Sequence, residues 1–284
     1  MHLDLATLLA QWATGGLFFC WVTTRRREVG IGYGWLLRIS FGVMAVLSVV
    51  SGAGDAGVGA AIRNGFTGLM ALGAGIALLQ SYVRRDAGVR GQREVRAARA
   101  ERVATMTAAA RDDAGDGPVG KEFNPWLDLV APVAGVIGLF GAAAFVGGDY
   151  ALSLARLQVG AFFLGAVSDA MLLGHWYLVQ PGLGRVPIRE LVKAVAVLWP
   201  LELIVYLIPV GMVSVLNGTV DDGYGGLMGW MWVVASITTI GLVIATWYAL
   251  KERAYSAVMA ATGLLYLAIL TGFGMDLLPR ALLG

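Results

Sequence analysis

Apolar residues run through this chain in blocks of about 20, each closed by charged or turn-forming residues, and a block of that length crosses roughly 30 Å of hydrocarbon as a helix. Eight blocks stand out, at about 5–23, 33–52, 64–83, 126–147, 153–179, 190–214, 227–249 and 255–277. A helix satisfies its own backbone hydrogen bonds inside a bilayer, so the pattern predicts an all-α polytopic membrane helix bundle with about eight transmembrane helices. Residues 1–83 hold the first three, residues 125–284 the last five, and residues 84–124 are the one long connection. Composition agrees: a chain of 284 residues that is 58% hydrophobic and 14% charged, with a mean hydropathy of +0.72, is too apolar for a water-soluble domain.

Charge alternates between successive links. Arg25, Arg26 and Arg27 follow the first block, Arg84 and Arg85 the third, Arg185 and Arg189 the fifth, and Lys251 and Arg253 the seventh. The intervening links carry Asp55, Asp149, Asp221 and Asp222, with Arg63 as a minor exception. Basic links stay on the cytoplasmic side. The expectation is therefore a protein of the cytoplasmic (plasma) membrane, with both termini outside and the 84–124 loop in the cytoplasm. Met1-His2-Leu3-Asp4 lacks the basic start of a cleavable signal, so the first block reads as a retained anchor.

The long connection begins Arg- and Ala-rich, which predicts a basic helix continuing the third span. Arg90, Arg93, Arg96, Arg99 and Arg102 are three apart and form a ridge, expected as a lipid-facing basic strip that attracts anionic lipid headgroups. The following ARDDAGDGPVGKE has no apolar periodicity and reads as a flexible linker. Topology accounts for the basic residues, so the expected partners are the lipid bilayer and its headgroups, together with other membrane subunits under a scaffold reading, and no nucleic acid.

Forty glycines have a packing meaning in a membrane, where small residues let helix backbones approach. Ala134, Gly138 and Ala142 in the fourth block, and Ala71 and Gly75 in the third, mark expected close crossings. The aromatic exits FFCWV and HWYLV, each followed by a basic Gly-containing turn, suggest two four-helix halves in parallel relation.

Function is to be sought among ionisable groups at membrane depth, which cost at least about 2.5 kcal/mol each on insertion scales. Asp169 and Glu202 lie near the middle of their blocks, and Tyr206 shares the helical stripe of Glu202. Pro200 and Pro209 bracket Glu202, which predicts a bent or opened helix around the carboxylate. Thr238 and Thr239 lie at similar depth on the next span. Asp169, Glu202, Tyr206, Thr238 and Thr239 are thus the expected ion, proton or substrate site, with His175 and Arg38 as a possible relay. Arg38 has two readings, snorkelling to the interface or pairing with Asp169. Asp128, Arg156, Lys193 and Asp276 lie close enough to block ends to read as interfacial.

Several chemistries are excluded by residue type. Two histidines, one of them His2 at the extreme terminus, cannot hold a membrane haem, and Cys20 alone makes no disulfide or metal cage. No phosphate-binding loop, nucleophile elbow or zinc helix occurs, so no cofactor, metal or catalytic residue is expected. Two functional classes remain: proton- or cation-coupled small-solute transport or proton conduction, and a non-catalytic subunit scaffolding a larger membrane complex. The bracketing prolines and shared depth favour transport. An intramembrane lipid-modifying enzyme is weaker, because only one histidine could serve as acid or base.

Overall fold

The computed structural model describes residues 4–86, 123–180, 183–252 and 254–283. Its helices are α1 (Leu5–Thr24), α2 (Ile31–Ser51), α3 (Val58–Val83), a 3-10 turn (Pro125–Leu129) leading into α4 (Val130–Phe145), α5 (Tyr150–Val179), α6 (Val186–Leu207), the short α7 (Gly211–Leu216), α8 (Leu227–Ala249) and α9 (Tyr255–Leu282), and no strand occurs among the described residues. Seven helices, counting Pro125–Phe145 as one, are long and apolar enough to cross a membrane. The protein is a polytopic, membrane-embedded helical bundle. The eighth expected span corresponds to α6, 22 residues long, which is set apart by its four charged residues, Arg189, Glu190, Lys193 and Glu202.

The expected span 190–214 is not one helix. Pro209, in a cis peptide bond with Ile208, ends α6 after Leu207, and α7 starts again at Gly211. Pro200, by contrast, lies inside an unbroken α6. Only one of the two prolines therefore opens the helix. The backbone carbonyl of Val205, left without its donor by Pro209, accepts from Arg156 Nε at 2.9 Å, and the Ile208 carbonyl accepts from Arg156 Nη2 at 3.2 Å. Pro279 inside α9 frees the Met275 carbonyl in the same way, and Trp232 Nε1 donates to it at 3.1 Å. Of the expected 84–124 helix and linker, residues 87–122 lie outside the described residues, and with them the Arg90, Arg93, Arg96, Arg99 and Arg102 strip.

The helices pack as two rings of four. In the first, α1 lies on α2, α2 on α3, α3 on α4 and α4 back on α1; in the second, α5 lies on α6, α6 on α8, α8 on α9 and α9 back on α5. The leading helices, α1 and α5, join the rings, and α4 also touches α5. This contact order matches the expected two halves, with α7 as an insertion in the second. The joint depends on glycine. A Cβ on Gly15 would overlap the Ala161 carbonyl, and one on Gly165 would overlap the Gly15 backbone. Gly15 and Gly165 each lie at the midpoint of their helix. Between α3 and α4 the close approach runs through Gly59, Gly73, Gly138 and Gly141. Gly138 serves as expected, but Gly75 faces open space, one step round the helix from the contact made by Gly73 and Ala74.

The two ends of the bundle differ in charge. At one end Arg25 pairs with Glu190, Gln180 Oε1 accepts from the Gly30 N–H at 3.2 Å, and Arg185 donates to the carbonyls of Leu250 (3.2 Å) and Ala254 (2.9 Å). Trp35 Nε1 donates to Ser81 Oγ at 3.0 Å, which brings the end of α3 to the same place. At the other end Arg63, an exception in the charge pattern, is fully buried. It pairs with Asp55 and with Asp4 Oδ2 (2.7 Å), donates to Thr7 Oγ1 (3.1 Å) and lies 4.6 Å from the Phe145 ring. With two carboxylates on one guanidinium, this group leaves the end acidic despite its arginine.

At the acidic end the link before α8 is closed by one carboxylate. Asp222 accepts from the backbone N–H groups of Tyr224 (2.9 Å), Gly226 (2.8 Å) and Met228 (2.9 Å). These bonds hold its pKa below the usual carboxylate value. A depressed pKa stabilises the folded loop above the ordinary aspartate pKa, and the contribution is lost as pH falls through the lower, folded value. Amide hydrogen exchange at residues 224–228 should therefore stay slow down to pH of about 4 and rise below it. Asp222→Asn should show fast exchange at neutral pH, and equal protection in that variant refutes the cap.

Candidate functional site

A group of polar side chains lies buried between the rings, where α1, α5, α6 and α9 meet. Asp276, expected at the interface, is fully buried, as are Glu202 and Gln11, while Arg280 and Tyr206 are nearly so. Helical spacing of four places Asp276 and Arg280 on one face of α9, and Arg280 Nη2 donates to Asp276 Oδ1 at 2.8 Å. Tyr206 Oη donates to the same oxygen at 3.1 Å and accepts from Arg280 Nε at 3.0 Å. Glu202, one turn before Tyr206, faces Asp276 and Arg280. From α5, Gly160 makes room: a Cβ there would overlap Gln11 Nε2 and crowd Asp276 Oδ1 and Arg280 Nη2. The guanidinium of Arg156 lies 5.3 Å from the Tyr206 ring, between it and the opened end of α6.

Glu202 and Asp276 are five and six residues from the ends of their helices, and Gln11 is six from the start of its own. At 1.5 Å per residue the group is about 8–9 Å inside the acidic end.

The pairing is incomplete. Both oxygens of Glu202, Oδ2 of Asp276 and both polar atoms of the Gln11 amide have no hydrogen-bond partner among the described residues. Asp276 has Arg280 and Tyr206 for its other oxygen; Glu202 has beside it, among the described residues, another carboxyl and a guanidinium and a tyrosine that are already engaged. An uncompensated carboxylate in an apolar interior is too costly to persist, so it binds a proton or a cation. Facing carboxyls whose free oxygens lack a donor can share one proton, which supplies the missing hydrogen bond.

The other expected residues lie elsewhere. Asp169 is fully buried, but nine residues beyond Gly160 on α5, about 13.5 Å along the axis, with Cys20 and Tyr33 as neighbours and not Glu202. Arg38 neither snorkels nor pairs with Asp169. Its Nε and Nη2 grip Asp128 Oδ1 and Oδ2 at 2.7 and 2.6 Å, both residues buried. Asp128 and Arg156, expected at the interface, are thus buried, whereas Lys193 is exposed. His175 is exposed on the outer face of α5, its Nδ1 3.1 Å from Tyr266 Oη. Thr239 is buried and bonded to the Ala235 carbonyl and to Thr271 Oγ1, both at 2.8 Å, and Thr238 is half-buried. The structure thus brings Glu202 and Tyr206 together and leaves Asp169, His175, Arg38, Thr238 and Thr239 outside their group.

Gln11, Gly160 and Arg280, none of them singled out in the sequence, complete the group together with Asp276, which reads as interfacial in the sequence. The last apolar block reads as ending near residue 277, whereas the helix continues through Pro279 to Leu282. Extending it by that turn would have exposed the Asp276/Arg280 spacing. Comparison with protein families, curated proteins and solved structures returned no match.

Proposed function

We propose that this protein exchanges protons at the Glu202–Asp276 pair, as a proton-coupled solute transporter or a proton conductor. The observation that carries the reading is a pair of facing, fully buried carboxyls, three of whose four oxygens lack a donor, beside an unpartnered glutamine. Arg280 and Tyr206 hold one oxygen of Asp276 in place, so Glu202 is the member free to gain and lose a proton. The opened end of α6, its carbonyls held by Arg156, lies between Glu202 and the acidic end.

The test is proton flux into liposomes containing the purified protein, read by an internal pH dye. Glu202→Gln keeps shape and hydrogen-bonding capacity but cannot exchange a proton, and should lower flux by about a hundredfold with the protein still folded. Asp276→Asn should do the same. Unchanged flux in both variants sinks the reading, and the carboxyls then serve as contacts in a scaffold subunit of a larger complex.

For orientation, we infer that the basic end faces the cytoplasm, with both termini outside, since Arg25, Arg26, Arg27, Arg185, Arg189 and Lys251 all belong to that end. In a Cys20→Ala background, cysteines at positions 26 and 221 should react with an impermeant thiol reagent from opposite faces of intact cells. Labelling of both from one face overturns the assignment. Attraction of the 90–102 arginines to anionic headgroups rests on their spacing alone.

A further inference from the structure

Away from the Glu202–Asp276 pair, one more carboxyl is buried without a partner. Asp169 is fully enclosed and neither of its oxygens has a hydrogen-bond donor among the described residues. It lies on the basic side of the crossing where the backbones of Gly15 and Gly165 touch; the Glu202 group lies on the acidic side. Cys20 from α1 and Tyr33 from α2 are the titratable groups beside it. Neither α6, α8 nor α9 brings a charged group to it among the described residues.

Hydroxyl groups lie between Asp169 and the basic end. Tyr33 Oη donates to the Asp169 backbone carbonyl at 3.3 Å, which sets that hydroxyl beside the aspartate; Thr23 lies next to it, its own hydroxyl donating to the Phe19 and Cys20 carbonyls at 2.9 and 3.0 Å. The next residue, Thr24, lines a cleft of about 60 Å³ together with Gly34, Arg38, Phe123 and Pro125, and its hydroxyl donates to Asp128 Oδ2 at 3.3 Å. The cleft has enough space for water and opens on the same end of the bundle, without reaching Thr23 or Tyr33 themselves.

We infer that Asp169 is a second proton-binding carboxyl, loaded from the basic end beside the Tyr33 hydroxyl. A hydronium entering from that end gives its proton to the carboxylate and becomes water, and the carboxylate becomes a carboxylic acid. Tyr33 Oη, held on the backbone carbonyl of the same residue, is placed to hydrogen-bond the incoming water on that path. The inference rests on the proton-exchange reading, and gives the bundle one carboxyl site on each side of its tightest crossing, each facing its own end.

The test reads Asp169 directly, independently of flux. Infrared spectra of the full chain in lipid should contain a carboxylic-acid C=O band that Asp169→Asn removes and Glu202→Gln leaves in place. Transfer into D2O should shift that band, and Tyr33→Phe, which keeps the ring and removes the hydroxyl, should slow the shift at least about tenfold. A band absent from the wild type, or an exchange rate equal in Tyr33→Phe, overturns the inference. If Asp169→Asn does not fold, peptide mapping of the wild type after treatment with a hydrophobic carbodiimide decides, since that reagent modifies protonated buried carboxyls: an adduct on Asp169 supports the site, and no adduct at any pH removes it. Loss of flux in Glu202→Gln without an Asp169 band sinks this inference and spares the pair; an Asp169 band with unchanged flux in Glu202→Gln does the reverse.

Discussion

Gly165→Ala should destabilise the bundle by at least about 2 kcal/mol, whereas Gly75→Ala should leave it unchanged or stabilise it by up to about 1 kcal/mol. Both positions are helical glycines in apolar spans. At Gly165 the added methyl overlaps the backbone of Gly15, so the helices that join the two rings must move apart and lose contacts along the joint. At Gly75 it points into open space, and the remaining effect is alanine's better helix propensity. The measurement is reversible unfolding in mixed micelles on increasing the mole fraction of a denaturing detergent. Equal midpoints for the two variants would show that the α1–α5 crossing is looser than described.

Asp128→Ala should cost about 3–5 kcal/mol, because it leaves the Arg38 guanidinium buried without its bidentate partner. The Phe123 ring, 4.8 Å away, and the edge of the cleft cannot replace two charge-assisted hydrogen bonds. Replacing both partners by apolar residues, Arg38→Met with Asp128→Leu, removes the charge along with its partner and should recover most of the loss. The same detergent unfolding series decides between charge and packing: a double variant as unstable as Asp128→Ala means that shape is what the pair contributes. Asp128 follows directly on the long connection and binds α2, so the pair also ties the far end of that connection to the first hairpin.

The candidate site was half legible. Glu202 and Tyr206 stand out because an ionisable residue in an apolar run is costly and two prolines bracket it. Asp276 was visible but misplaced, because the apolar block reads only to about residue 277 and the helix runs on through Pro279 to Leu282; a proline near a helix terminus is tolerated when a side chain such as Trp232 takes up the freed carbonyl. Depth along a helix can be counted from sequence, and on depth alone Asp169 and Glu202 looked like neighbours. They lie on opposite sides of the α1–α5 crossing, because the helix of Glu202 runs over Val186–Leu207 and not to residue 214, which sets that carboxyl five residues from its end.

The amino-acid sequence by itself determined the solvent, the helical class, and the number and approximate length of the long helices. All of these follow from the length of apolar runs and from the need to satisfy backbone hydrogen bonds within them. Only the tertiary structure decided which face of each helix turns inward. Lipid is as apolar as the protein interior, so inward and outward faces of these helices have nearly the same composition and polarity does not distinguish them. What distinguishes them is shape and the rare polar groups: Gly15 against Gly165 where two backbones must touch, and Tyr206 reaching Arg280 across 74 residues of sequence. Such contacts depend on the assembled bundle, because each needs a partner that no local stretch of sequence contains.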